Sequence, residues 1–119
     1  MVKGKKRETI MLKSENRIKK RKEFGYIYKH GLGVYSPNLV IMYTDNKYAR
    51  VRIGLSVSKK VGKAYARNKV KRVLRSIMRL NIDKIKKGKN YIVVARPSVL
   101  ELNYAELETE LLQLFDKIQ

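Results

Sequence analysis

Lysine and arginine are concentrated in one stretch of the sequence. From Lys59 to Arg75 there are eight basic residues and no acidic one. Arg67, Lys71 and Arg75 follow one another at i, i+4 spacing, and like charges with that spacing destabilise a helix by roughly 0.2–0.5 kcal/mol per pair. A bound polyanion would offset the repulsion, and the release of its counterions would make the affinity depend on salt. The stretch therefore predicts a phosphate-binding strip; a basic face that is only solvated is the alternative.

Two further groups of side chains are suited to act beside that strip. Residues 51–58 alternate strictly between aliphatic and polar, as in a half-buried strand. The polar side of that strand consists of Arg52, Gly54, Ser56 and Ser58. Phe24 and Tyr28 are spaced i, i+4, which places both rings on one face of a helix. Rings beside a cationic groove stack unpaired bases, each worth about 1–3 kcal/mol; core packing is the alternative for both.

The sequence contains no comparable pattern of catalytic residues. His30, the only histidine, has no evident carboxylate or thiol partner, so a surface or helix-capping role is expected. The acids outside the C-terminal segment form no paired or metal-ligand pattern. Neither a GxxxxGK(S/T) phosphate loop nor a GxSxG elbow is present. We therefore expect neither catalytic residues nor a metal site in this chain.

The overall charge indicates the same kind of partner. Twenty-nine Lys and Arg against 10 Asp and Glu give the 119-residue chain a net charge of +19. Residues 101–119 contain five acids and one base, so the positive excess is confined to residues 1–100. Nucleic acid is the commonest partner of so basic a chain; a membrane surface, the alternative, usually requires bulky apolar anchors as well. With no cysteine and no apolar run of ~20 residues, a soluble cytoplasmic protein is expected.

The spacing of apolar residues predicts the elements that position these groups. A flexible basic arm over residues 1–13 precedes a single domain over residues 14–119. Helical periodicity is found at 21–29, 66–80 and 103–118, and strand patterns at 38–44, 51–58 and 91–95. This order of helices and strands predicts an α+β fold in which helices pack on one sheet.

The helix predicted over residues 66–80 divides into two opposite arcs at about 100° per residue. Its apolar arc contains Ala66, Val70, Val73, Leu74, Ile77 and Leu80. Its polar arc contains Arg67, Asn68, Lys71, Arg72, Arg75 and Arg79. The apolar arc is expected to face the core, which leaves the basic arc open to a partner.

Two runs of residues resemble a known family. Arg52–Lys60 and Ala66–Arg75 closely resemble the signature of the bacterial ribonuclease P protein, whose second helix carries an Arg-Asn-Arg-type block. Phe24–Gly31 resembles the first-helix segment of that family and Tyr91–Arg96 its fourth strand, so the likeness extends from about Leu12 to the end of the sequence. The resemblance implies a single α+β domain similar to domain 2 of ribosomal protein S5, with a mixed four-stranded sheet, about three helices and a left-handed β-α-β crossover.

The resemblance also implies a division of labour within a ribonucleoprotein. A catalytic RNA subunit, which requires Mg²⁺, removes the 5′ leader from precursor tRNA; one protein per RNA assists it, with no cofactor of its own and no obligate protein partner. By position, the RNA-binding residues of the basic helix are Arg67, Asn68, Lys69, Lys71, Arg72 and Arg75. Those of the strand face and the following loop are Arg52, Ser56, Ser58, Lys59 and Lys60. The aromatic residues of a cleft for the single-stranded leader are Phe24, Tyr28 and Tyr43.

The chain departs from the family pattern at two positions. Lys69 stands where the family block has Arg, which keeps the charge but loses a bidentate fork. An expected cleft tyrosine falls at Met42, with Tyr43 one place later, and the sequence leaves open which of these two meets RNA, because neighbours on a strand face opposite sides. Two other functions also fit parts of the pattern: a ribosomal protein, by size and composition, and a nuclease acting alone, against which the lack of an acid–base or metal cluster counts.

Overall fold

Residues 13–118 are described by a computed structural model, and their elements follow the order expected from the sequence with one addition. The helices are α1 (Arg21–His30), α2 (Ala64–Leu80) and α3 (Tyr104–Asp116). The strands are β1 (Leu32–Tyr35), β2 (Leu39–Asp45), β3 (Val51–Val57) and β4 (Lys89–Ala95). Short 3₁₀ turns are found at Ser14–Asn16, Ile82–Lys84 and Pro97–Glu101. The arm predicted over residues 1–13 lies outside the described residues except for Lys13.

The strands form one mixed sheet in the order β1-β2-β4-β3. β2 is antiparallel to both of its neighbours, so that Ile41 lies opposite Val34 of β1 and Val93 of β4. β3 and β4 are parallel, with Leu55 opposite Val93, and α2 connects them in the chain. This parallel pair joined through a helix is a β-α-β unit. The predicted single α+β domain with a mixed four-stranded sheet and three helices is confirmed.

Both faces of the sheet are covered by helices. α2 and α3 pack on one face, where Leu74 and Leu111 are buried with Val93 in the main core. α1 packs on the other face, where Ile27 is buried against Ile92. Strands that are covered on both faces carry continuous apolar runs instead of alternating ones, which explains the apolar run of β2. Within residues 13–118, no helix is both long and apolar enough to cross a membrane.

The predicted elements differ from the structure in three details. The strand pattern did not locate β1, the fourth strand that the resemblance implies, because its four residues include a glycine and form too short a pattern. α2 begins at Ala64, two residues before the predicted start. Leu80, which the helical wheel placed in the apolar arc, is 59% exposed. Ser76 is buried instead, because α3 meets α2 at this point: its hydroxyl lies 3.3 Å from that of Tyr104.

Candidate RNA-binding surface

α2 is fixed to the sheet by its apolar side. Val70, Leu74 and Ile77 are buried in the main core, which turns the opposite side of the helix outward. The six residues predicted to bind RNA, which we call the α2 basic face, lie on that outward side or at its margins. The exposed members are Asn68, Lys69 and Arg72, and the half-buried members are Arg67, Lys71 and Arg75.

The α2 basic face is not neutralised by carboxylates of the described chain. In residues 13–118, the ion pairs join Arg52 to Glu23 and Lys89 to Asp45, and neither involves α2. The first turn of α2 also lacks an acidic residue and a side-chain N-cap, either of which would stabilise the positive end of the helix dipole. The face therefore keeps its positive charge, which favours the binding of an anionic polymer.

Arg17 approaches this face from outside α2. Residue 17 bridges to Ile53 at the edge of β3, and the backbone N–H of Ile18 donates to the Ile53 carbonyl at 2.8 Å. Burial, together with the nearby charge of Arg17, lowers the pKa of Arg75. Neither arginine pairs with a carboxylate of residues 13–118, so an anion between them would relieve their repulsion. The local sequence pattern gives no sign of Arg17, because its position depends on pairing along the sheet edge.

The loop between β3 and α2 continues the basic surface. Ser58, Lys59 and Lys60 are all exposed, as their predicted role requires. The Ser58 hydroxyl accepts a hydrogen bond from the backbone N–H of Lys60 at 3.3 Å, and the Ser58 carbonyl accepts one from that of Val61 at 3.0 Å. Ser58 therefore shapes the turn. The two lysines precede the start of α2 at Ala64 by four and five residues and extend its positive charge.

α1 places its aromatic residues on the opposite face of the sheet. Ile27 is fully buried there, whereas Phe24 is half-buried and Tyr28 is 44% exposed. The Phe24 ring lies over Gly54 of β3, where an ideal Cβ would be 2.5 Å from the ring atom Cζ. Ser56, two residues further along β3 and therefore on the same face, is half-buried. Phe24, Tyr28 and Ser56 thus share one side of the sheet.

Arg52, which is predicted to bind RNA on the strand face, forms an ion pair with a carboxylate of the chain itself. Its Nη1 and Nη2 donate to Oε2 and Oε1 of Glu23 at 2.8 and 3.3 Å, and its side chain is 13% exposed. The hydrogen bond from Arg52 lowers the pKa of Glu23. Because Glu23 belongs to α1 and Arg52 to β3, the pair fastens α1 to the sheet.

Tyr43 lies on the face of the sheet opposite to Phe24 and Tyr28. It packs against the main core, with its ring centre 6.5 Å from that of Tyr91. Met42 instead packs with Phe24 against the buried residues Ile27 and Ile92 beneath α1. The prediction that Tyr43 joins the aromatic residues of α1 is therefore wrong, since the alternation along β2 gives that place to Met42. We call Phe24, Tyr28, Met42 and Ser56 the α1-side surface.

The remaining polar features lie elsewhere. His30 is exposed, and its ring centre is 4.6 Å from that of Tyr26 on α1. No group of three or more His, Cys, Asp or Glu in residues 13–118 is placed to hold a metal ion. A groove of about 570 Å³ lies between the β1–β2 turn and α3. Its lining includes Glu106 and Glu110 but no residue of the α2 basic face, so it is separate from the predicted RNA-binding residues.

These features define a class of protein: a small α+β domain with a cationic helix on one face of its sheet and aromatic side chains on the other. Residues 12–119 match the family model described as Ribonuclease P. A ribonuclease P protein component from Clostridium botulinum (strain 657 / Type Ba4) is 44% identical over 105 residues, which cover 87% of this chain and 94% of that protein. The chain belongs to the ribonuclease P protein family.

Solved structures of the family have the same fold. The RNase P protein of Staphylococcus aureus matches with a TM-score of 0.81 and 33% identity, over 87% of this chain and 95% of that one. The RNase P protein of Thermotoga maritima matches with a TM-score of 0.81 and 31% identity, over 87% of this chain and 97% of that one. The similarity therefore extends over most of the domain.

Proposed function

We propose that the chain is the protein subunit of a ribonuclease P holoenzyme, which binds a catalytic RNA subunit and the single-stranded 5′ leader of precursor tRNA. Membership of the family supports the role as a subunit. The observation that carries the RNA-binding part is the α2 basic face, none of whose cations pairs with a carboxylate in residues 13–118.

The α2 basic face is the proposed contact with the RNA subunit. Its side chains project from one rigid helix that the main core holds in place, so they can meet a folded RNA backbone in a fixed register. Contacts of this kind go to phosphate oxygens, which position the protein without reading sequence. Lys59 and Lys60 add two exposed cations next to the helix. Binding through these groups releases counterions and is weakened by salt.

The α1-side surface is the proposed contact with the leader. Tyr28 is substantially exposed and Phe24 partly so, and such rings stack on unpaired bases with little sequence preference. The hydroxyl of Ser56 is a hydrogen-bond donor and acceptor beside them. A leader is present on precursor tRNA and absent from mature tRNA, so this contact would favour the substrate over the product.

In this function the chain itself carries out no bond-breaking step. Cleavage of the phosphodiester, and the Mg²⁺ that supports it, belong to the RNA subunit. The chain contributes positive charge that reduces repulsion between the two RNA molecules, which lets the complex form at lower Mg²⁺. In this proposal one chain binds each catalytic RNA in the cytoplasm, and no further protein partner is required.

Reconstitution tests this proposal. Precursor tRNA is incubated with a bacterial ribonuclease P RNA at low Mg²⁺, with and without the chain after all nucleic acid has been stripped from it. We expect efficient release of the 5′ leader when both are present, little with the RNA alone and none with the chain alone. The holoenzyme should also bind precursor tRNA more tightly than mature tRNA.

Each contrary result has a distinct meaning. Unchanged cleavage on addition of the chain would contradict its role as a subunit. Affinity of the holoenzyme that does not depend on leader length would contradict the leader contact alone. Cleavage by the stripped chain would indicate a self-sufficient nuclease, and stoichiometric sedimentation with ribosomes would indicate a ribosomal protein.

A further inference from the structure

Tyr35, at the end of β1, shares a face of the sheet with the α1-side surface. The pairing of β1 with β2 places Tyr35 opposite Val40, and Gly33 opposite Met42. Val34 lies between them in sequence and packs against the main core on the other face. Since side chains alternate along a strand, Tyr35 and Gly33 point to the same side as Met42.

A single row of residues leads from Tyr35 to the α1-side surface. Val40 lies opposite Val94 in β4, and Val94 lies opposite Ser56 in β3. The row Tyr35, Val40, Val94 and Ser56 therefore crosses all four strands in register. With about 4.8 Å between neighbouring strands, it is about 14 Å long. Val40, Val94 and Ser56 are all half-buried, so the row is partly open to solvent.

The Tyr35 ring is held along β1 instead of standing clear of the sheet. An ideal Cβ on Gly33 would lie 2.8 Å from the Tyr35 hydroxyl oxygen and 3.1 Å from the ring atom Cζ. The hydroxyl end of the side chain therefore lies over Gly33, where the missing side chain leaves room for it. The residue is nevertheless 60% exposed. Burial in the core accordingly does not account for an aromatic residue at this position.

We propose that Tyr35 is a further base-stacking residue, and that the row from Ser56 to Tyr35 carries an unpaired segment of the leader RNA across the sheet to β1. This inference rests on the proposed function. RNA is the occupant that charge favours: the chain has a net charge of +19, and Glu23, the carboxylate of α1, is already paired with Arg52. An exposed ring that is already oriented loses little rotamer freedom when a base stacks on it.

The path ends at Tyr35, because β1 is the last strand on this side of the sheet. The groove between the β1–β2 turn and α3, which Tyr35 also lines, contains Glu106, Glu110 and Lys117. It does not continue the row, since α3 packs on the other face of the sheet. Tyr35 is thus the last aromatic contact along the row, and nucleotides beyond it should add no affinity.

The test uses the reconstituted holoenzyme and precursor tRNAs whose leaders are shortened one nucleotide at a time. Tyr35→Ala should weaken binding of long-leader precursors about tenfold, the loss expected for one stacked base, and leave mature tRNA and the shortest leaders unaffected. Tyr35→Phe keeps the ring and should bind as the unmodified chain does. Tyr26→Ala is the matched control, because Tyr26 is 59% exposed on α1 but outside the row.

Four results would overturn the inference. Equal affinities of Tyr35→Ala and the unmodified chain at every leader length would show that no base stacks on Tyr35. An equal loss with mature tRNA would place Tyr35 against another part of the RNA. Self-association of the RNA-free chain that Tyr35→Ala abolishes would make β1 a protein contact. If the unmodified chain itself shows no dependence on leader length, the proposed leader contact fails together with this inference.

Discussion

Among single residues, Gly54 and Phe24 set how closely α1 approaches the sheet. Gly54 is buried beneath the Phe24 ring, and a Cβ there would lie 2.5 Å from Cζ and 3.0 Å from Cε2. No L side chain fits without moving that ring or the helix that carries it. The absence of one side chain thus positions an aromatic residue of the α1-side surface, so the contact that stabilises the fold also places a ring of the proposed leader contact.

Gly54→Ala should therefore lower the free energy of unfolding by about 1–3 kcal/mol, the usual cost of overpacking a filled site, as measured by urea denaturation. Gly25→Ala is the matched control, since a Cβ at Gly25 meets nothing within 4 Å. Gly25 lies inside α1, where Ala is favoured over Gly by about 1 kcal/mol, so that variant should be more stable than the unmodified chain. Equal stability of the two variants would contradict the close contact.

At the scale of elements, α1 is attached to the sheet by apolar contacts of Ile27 and Phe24 and by one ion pair. Ile27 is buried against Ile92, and Glu23 accepts two hydrogen bonds from Arg52 of β3. The hydrogen bond from Arg52 holds the pKa of Glu23 below its ordinary value of 4.5. A carboxyl whose pKa is lower in the folded state stabilises the fold above its unfolded pKa, and this contribution is lost as the pH falls through its folded pKa.

Glu23→Gln should accordingly cost about 1 kcal/mol at pH 7, as for a partly exposed ion pair. The difference from the unmodified chain should shrink as the pH is lowered from about 5 through the folded pKa of Glu23, because the side chain at position 23 is then neutral in both proteins. Free energies of unfolding measured across this range test the prediction. Glu101→Gln, at an exposed glutamate that forms no ion pair within residues 13–118, should show no such convergence. A difference that stays constant with pH would contradict the ion pair.

The sequence predicts local features of the helices and strands but not the contacts between them. The two arcs of α2 follow from period and charge except at Leu80 and Ser76, whose exposure depends on the neighbours of the helix. The pairing of Arg52 with Glu23 was not predictable, because the two residues are 29 positions apart and meet only once α1 folds back over β3. The sequence also could not decide between Met42 and Tyr43, because β2 is apolar on both faces and its alternation carries no signal. The row that contains Tyr35 was not predictable either, because it depends on the register of the strands, which tertiary packing sets.

Across the whole molecule, three acidic residues of α3 accept hydrogen bonds from neutral groups, and none of them pairs with a cation of α2. Glu106 accepts from the backbone N–H of Asn103 at 2.9 Å in a capping box. Glu108 accepts from the side chain of Asn81 at 2.9 Å, and Glu110 accepts from the backbone N–H of Asn38 at 2.9 Å. These carboxylates fasten α3 to its surroundings and do not pair with the α2 basic face. The cations of α2 and the carboxylates of α3 therefore do not neutralise each other within residues 13–118.

This separation predicts which charges govern the salt dependence of RNA binding. Arg72 is exposed on α2, so Arg72→Ala should leave folding intact, weaken binding to the RNA subunit and reduce the slope of log affinity against log salt concentration by about 1, the effect of one lost phosphate contact. Lys117→Ala removes the same charge at the end of α3 and should leave the slope unchanged. Titrations of the RNA subunit at several salt concentrations measure both slopes. If the two variants reduce the slope equally, net charge and not the α2 basic face determines binding.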